Sequence, residues 1–121
     1  MGYCLVVDDS SVIRKVARRI LEDLDFTVNE AEDGQQALDA CRRNMPDVIF
    51  LDWSLPVMSG LDFLATLRKE EGGKKPKVVF CAAENDVAQI ARAMRAGADE
   101  YILKPFDREL VEAKLQEVGA L

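Results

Sequence analysis

The chain contains no histidine. That absence excludes catalysis by serine–histidine or cysteine–histidine pairs, and it excludes every histidine-ligated metal. Cysteine is sparse. Cys4, Cys41 and Cys81 are odd in number, widely spaced and without a C-x-x-C pair, so reduced thiols in a cytoplasmic protein are expected. A basic excess is also missing: 16 Lys and Arg face 22 Asp and Glu, a formal net charge of −6. Nucleic acid is therefore not an expected partner. No apolar run approaches the ~20 residues of a membrane-spanning helix. The start, Met1-Gly2-Tyr3-Cys4-Leu5-Val6, has no basic segment ahead of an apolar one and is no signal peptide. Val6 stands where a myristoylation signal needs Ser or Thr. Gly73-Lys74 is a turn rather than a phosphate loop, because Arg68 occupies the place of the first glycine. Repeats and low-complexity tracts are lacking too.

What is present is a regular alternation. At 121 residues, 49% of them hydrophobic and 31% charged, the chain has the composition and length of one globular domain with its own core. The central stretch, Asp47-Val48-Ile49-Phe50-Leu51-Asp52-Trp53, is a short apolar run between Pro46 and a turn-rich segment from Ser54 to Gly60. It reads as a strand buried on both faces, and it ends on a carboxylate. Tyr3 to Val7 is a similar run that ends at Asp8-Asp9. Phe26 to Ala31, Lys77 to Ala82 and Glu100 to Lys104 supply three more strands.

Between them lie helical patterns. Ser10 or Ser11 caps a helix with Val12, Ile13, Val16, Ala17, Ile20, Leu21 and Leu24 on its apolar face. Asp33-Gly34 starts a weaker one carrying Ala37, Leu38 and Cys41. Ser59-Gly60 opens a third with Leu61, Leu64, Ala65 and Leu67. A fourth directs Val87, Ile90, Ala91 and Met94 inward and stops at Gly97, a residue suited to a left-handed helix end. The last begins near Asp107 and carries Leu110, Val111, Leu115 and Val118. Five strands alternating with five helices predict a single α/β domain over residues 1–121, with a doubly wound parallel sheet. The chain stops after the fifth helix, so no attached output domain is expected.

In a parallel sheet all strands end on one edge, where ligands bind. Asp8, Asp9, Asp52 and Lys104 are thereby gathered. Crowded carboxylates repel unless a cation sits among them, and oxygen donors without histidine or thiolate suit Mg²⁺ or Mn²⁺. Lys104 adds a point charge for an anion beside the metal. The set describes a metal-assisted phosphoryl site, with Asp52 as nucleophile and Asp8 and Asp9 as ligands. Each residue alone has a plainer explanation: helix-dipole complementation for Asp8-Asp9, a turn carboxylate for Asp52, a solvated lysine for Lys104. Their joint placement at strand ends favours the site.

With those residues in place, the chain resembles the receiver domains of two-component response regulators, of the stand-alone chemotaxis-regulator type. The matching segments are Val7-Asp8-Asp9-Ser10, Leu51-Asp52-Trp53-Ser54-Leu55-Pro56-Val57-Met58-Ser59-Gly60, Ala96-Gly97-Ala98-Asp99-Glu100-Tyr101 and Leu103-Lys104-Pro105-Phe106. The resemblance implies a flavodoxin-like sheet of strand order 2-1-3-4-5. It implies that Asp52 accepts a phosphoryl group from a histidine kinase, a phosphotransfer protein or a small phosphodonor. Asp8, Asp9, Asp52 and the backbone carbonyl of Ser54 would hold Mg²⁺, Lys104 would contact the phosphoryl group, and the Lys104-Pro105 bond would be cis. Ser54 lies where the family tunes hydrolysis of the acyl phosphate. A downstream target protein would read the face made by the fourth helix, fifth strand and fifth helix. No catalysis beyond self-phosphorylation and self-dephosphorylation is implied. A monomer is expected, with dimerisation on activation left open.

One position departs from the pattern. The family carries Ser or Thr at the end of the fourth strand, whose hydroxyl binds the phosphoryl group and draws an aromatic, here Tyr101, inward. Ala82 occupies that place. Without a bulky group at 82, Tyr101 has room inward before phosphorylation. Two alternatives accompany the receiver reading: a phosphorylation-independent pseudo-receiver, and a small aspartyl-phosphate phosphatase. The latter needs Asp-x-Asp on the first strand and a cap segment, whereas this chain has adjacent Asp8-Asp9 and no cap. Trp53, the only tryptophan, adjoins Asp52 and is a natural reporter.

Overall fold

The computed structural model describes residues 2–83 and 85–121. Five strands alternate with five helices: β1 (Tyr3–Val7), α1 (Ser11–Asp23), β2 (Thr27–Ala31), α2 (Gly34–Arg43), β3 (Val48–Asp52), α3 (Gly60–Lys69), β4 (Lys77–Ala82), α4 (Val87–Ala96), β5 (Glu100–Leu103) and α5 (Arg108–Glu117). Each helix begins the same way. The side chains of Ser10, Asp33, Ser59, Asp86 and Asp107 accept from the backbone N–H three residues on, satisfying a donor that the first helical turn leaves free. Gly97 ends α4 at φ 118°, a conformation that costs glycine little.

All strand pairs are parallel, in the order β2-β1-β3-β4-β5. This is the order expected from the sequence. β3 is central and buried along its whole length, the usual result of covering a parallel sheet on both faces. Strand periodicity divides the core in two. Cys4, Val6, Val48, Phe50, Val79, Cys81 and Ile102 face α1 and α5, where Ala17, Ile20, Leu21, Val111 and Leu115 close over them. Leu5, Val7, Ile49, Leu51, Val78, Phe80 and Ala82 face α2, α3 and α4.

The helical faces differ in detail from the sequence pattern. Val12 and Val16, expected inward, are 67% and 43% exposed, because α1 buries a narrower stripe of Ala17, Ile20 and Leu21. In α4, Val87 is 74% and Met94 38% exposed, and Ala93 is the buried residue. Leu110 of α5 is also open to solvent. In α3 the inward residues are Phe63, Leu64 and Leu67, with Leu61 and Ala65 only half-buried. Val16 and Met94 stand beside the buried Ala17 and Ala93, so they lie on the flank of the stripe that turns away from the sheet and stay exposed.

Candidate functional site

The site grows out of one face of the sheet. Val6, Phe50 and Ile102 lie on the α1/α5 face, and two residues further along each chain stand Asp8, Asp52 and Lys104. Period-two alternation therefore carries all three polar groups onto the face that the apolar rows have just vacated. Lys104 Nζ lies 3.1 Å from Asp52 Oδ1 and 3.2 Å from Asp8 Oδ2. Both carboxylates are buried, at 8% and 3% exposure respectively. Asp9, exposed at the rim, completes a group in which Asp8, Asp9 and Asp52 offer oxygens within 4.8 Å of one another. All four residues singled out in the sequence are thus brought together.

Electrostatics follow from this crowding. Burial, then the charge of Asp8, raises the Asp52 pKa above its ordinary value, although Lys104 pulls the other way. For Lys104, burial alone lowers the pKa; hydrogen bonds and charge from Asp52 and Asp8 outweigh it, and the net shift is upward. The ammonium is firmly charged. Two buried carboxylates sharing one lysine remain short of positive charge, and three carboxylates so close together form a hard oxygen donor set. That donor chemistry fits Mg²⁺.

The surrounding loops are fixed by the backbone. The Asp8 N–H donates to the Ala31 carbonyl, and Ser10 N–H donates to Asp8 Oδ1 at 2.9 Å. Gly60 N–H donates to the Trp53 carbonyl. A Cβ at position 60 would collide with the Asp52 carbonyl oxygen, so only glycine lets α3 start this close to the site. Gly34 has the same role at the start of α2: its N–H donates to the Met58 carbonyl, and a Cβ there would collide with that oxygen. The sequence marks Gly60 as a helix start but not as a close approach, which no local pattern announces.

The remaining candidates sit around the rim. Trp53 is half-buried, its ring edge-on to Phe80 with centroids 5.5 Å apart. Ser54 is exposed in the loop after β3. Ala82 is fully buried at the end of β4, and its carbonyl accepts from the Lys104 N–H at 2.8 Å. Lys104-Pro105 is a cis bond, as expected. β5 closes at Leu103, one residue before Lys104. Tyr101 packs against the same core cluster as Ala82, with Lys114 Nζ 5.0 Å from the centre of its ring. In the β3–α3 loop, Val57 adopts φ 67° and is 83% exposed, a strained setting for a β-branched residue.

A five-stranded α/β sheet with an acidic cleft and a lysine at its carboxyl edge defines a class, and comparison with known proteins places the chain within it. Residues 4–116 match the model of the response regulator receiver domain; the chain belongs to that family. It is 36% identical over 115 residues to the chemotaxis protein CheY of Pseudomonas aeruginosa, covering 94% of this chain and 93% of the relative. The structure of chemotaxis protein CheY4 from Vibrio cholerae superposes with a TM-score of 0.92 at 31% identity, over 98% of each chain. A receiver domain from a Pseudomonas aeruginosa sensor histidine kinase, with a magnesium ion coordinated in its active-site cleft, superposes at 0.87 with 28% identity and 98% coverage of both. The chain is therefore a receiver domain of two-component signalling. Receivers are signalling proteins rather than enzymes in the usual sense; as a family they bind Mg²⁺ at an acidic pocket and interact with histidine kinases and downstream targets. Among the described residues, no helix is long and apolar enough to cross a membrane.

Proposed function

We propose that residues 1–121 act as a single stand-alone receiver that takes a phosphoryl group on Asp52. The observation that carries this reading is the pair of contacts from Lys104 Nζ to Asp52 and Asp8, 3.1 and 3.2 Å, beside three carboxylates. A free Asp52 oxygen attacks the phosphorus of a phosphohistidine or a small acyl phosphate. The O–P bond forms, the P–N or P–O bond to the donor breaks, and its electron pair leaves with the donor group. Lys104 stays charged throughout and is placed to pair with a phosphoryl oxygen once Asp52 is esterified. Asp8, Asp9, Asp52 and the Ser54 carbonyl are the residues that would hold Mg²⁺, which when bound offsets negative charge on the phosphoryl oxygens. Attack by water on the phosphorus releases inorganic phosphate and restores Asp52.

The reading extends to output. Tyr101, Lys114 and the poorly buried α4 lie on the α4-β5-α5 face, and a local change at Asp52 biases two arrangements of that face. A partner protein reads the difference. The test is incubation with Mg²⁺ and radiolabelled acetyl phosphate. Alkali-labile label that is retained by the parent and lost in Asp52→Asn is the expected result; label that survives the substitution overturns the assignment.

Ala82 supports a second reading. Its full burial without a hydroxyl leaves one phosphoryl oxygen to backbone N–H groups or water, and a phosphorylation-independent binding module would tolerate that loss. A parent that takes up no label favours this module. Catalytic turnover of a phosphate ester requiring Asp52 would favour an aspartyl-phosphate phosphatase.

A further inference from the structure

Arg14 lies outside the cluster, on the first turns of α1, with its side chain only 11% exposed. One terminal nitrogen donates to the backbone carbonyl of Asp8 at 2.8 Å, and its Nε donates to Glu30 Oε1 at 2.9 Å. Its other terminal nitrogen stands 3.6 Å from Glu32. Glu30 is on the α1 side of β2 because it is in register with Val6 of β1. Its second oxygen takes Arg18 at 2.7 Å. The main chain of Asp8 is thus held from both sides, its N–H by the Ala31 carbonyl and its carbonyl by Arg14.

The Asp8 carbonyl and the Asp9 N–H belong to one rigid peptide plane. Fixing the carbonyl therefore fixes the direction in which the chain leaves Asp8 and the point from which the Asp9 side chain departs. The geometry points to Arg14 as a positioning residue for the divalent-cation site: clamped by Glu30, it holds the Asp8-Asp9 peptide so that both carboxylates are preset for the ion. This rests on the metal-dependent receiver reading above. A guanidinium suits the task because its planar fork serves two acceptors at once, which a lysine ammonium in that place cannot do with the same geometry. Groups that orient metal ligands from behind typically change metal affinity about 10- to 100-fold when removed. Here the effect passes through backbone, and the lower end is expected.

Arg18 provides the internal control. It makes the same kind of α1–β2 ion pair with Glu30 but has no contact with Asp8. The experiment is a Mg²⁺ titration followed by Trp53 emission, in the whole chain, for the parent, Arg14→Ala, Arg14→Lys, Arg18→Ala and Asp52→Asn. Thermal scans of each variant accompany it. The expected result is Mg²⁺ binding weakened about 10-fold in Arg14→Ala, partly recovered in Arg14→Lys, and unchanged in Arg18→Ala. Unchanged affinity in Arg14→Ala overturns the inference alone. Equal weakening in Arg18→Ala also overturns it, because Arg14 is then only a staple between α1 and β2. If Arg14→Ala does not fold, Arg14→Lys decides: parent-like affinity there counts against positioning. A parent whose Trp53 emission ignores Mg²⁺ overturns both the inference and the receiver reading it rests on.

Discussion

Gly60 approaches Asp52 so closely that a single added carbon at position 60 would collide with the Asp52 carbonyl oxygen. The start of α3 and the end of β3 are pressed together there, and the Gly60 N–H reaches back to the Trp53 carbonyl. Gly60→Ala must push backbone against backbone. It should destabilise the protein by about 2 kcal/mol and shift the Trp53 emission of the folded state. Chemical denaturation and emission spectra measure both; a neutral substitution would show that the two backbones can move apart freely.

Asp52 works against stability. Its carboxyl pKa is raised by burial and by Asp8, so the folded state holds the Asp52 proton more tightly than the unfolded state does. Between the ordinary carboxylate value and the raised one, stability falls as pH rises, and the penalty is complete once the pH lies above both. Asp52→Asn removes it while leaving Lys104 bonded to Asp8. The variant should be more stable than the parent at neutral pH by about 1 kcal/mol, with the difference shrinking as pH is lowered through that window. Urea melts across pH check it; a less stable variant at neutral pH contradicts the sign. The raised Lys104 pKa also makes stability fall with rising pH, but as a stabilising contribution present at neutral pH and lost only at alkaline pH.

Ala82→Thr restores a hydroxyl at the end of β4. A hydrogen bond to a charged group contributes about 1.5–3 kcal/mol, so the acyl-phosphate mimic beryllofluoride should bind about 10-fold tighter or better in the presence of Mg²⁺. The extra atoms enter a fully buried position and should cost about 1 kcal/mol of stability. The Tyr101 ring signals in NMR spectra should also become dependent on the mimic. Identical mimic affinity in the two proteins argues that backbone groups already satisfy the phosphoryl oxygens.

Arg68 is a latch far from the site. It donates to the carbonyls of Gly73, Pro76 and Gly97 and to Asp99, and Asp99 in turn accepts from the Val78 N–H at 2.8 Å. Arg68→Ala leaves several shielded acceptors unpaired and should cost about 3 kcal/mol. Asp99→Asn, which keeps an acceptor, should cost less. Amide exchange near the end of α4 should quicken in Arg68→Ala; unchanged protection there would remove the latch.

Val57 holds a positive φ with its side chain in solvent. Val57→Gly relieves the clash of its Cβ with the backbone and should raise stability by about 1 kcal/mol, read as an upward shift in Tm. A lower Tm would mean that the valine has a packing role in this loop.

The order of elements, the sheet type and the four charged residues of the cleft were legible in the sequence because they depend on periodicity and on parallel strands ending at one edge. Asp8, Asp52 and Lys104 needed only that rule. The helical stripes were less legible: Val12, Val16, Val87 and Met94 fit a helical spacing, yet which flank of a stripe the sheet covers is a tertiary property. Phe63 is a different case: it is buried with Leu64 and Leu67 at ordinary helical spacing, and a stripe centred on Leu61 and Ala65 leaves it out.

Short-range patterns and residue chemistry suffice to make this chain an α/β receiver with an acidic cleft, because both are written along the backbone a few residues at a time. How the cleft is held is settled in three dimensions. The closeness of Gly34 to Met58 and the clamp from Glu30 through Arg14 to the Asp8 carbonyl arise where separate βα units meet, and Gly60 meets Asp52 only because the β3–α3 loop folds back on itself. Contacts of that kind depend on relative placement in space, and no spacing along the chain encodes them locally.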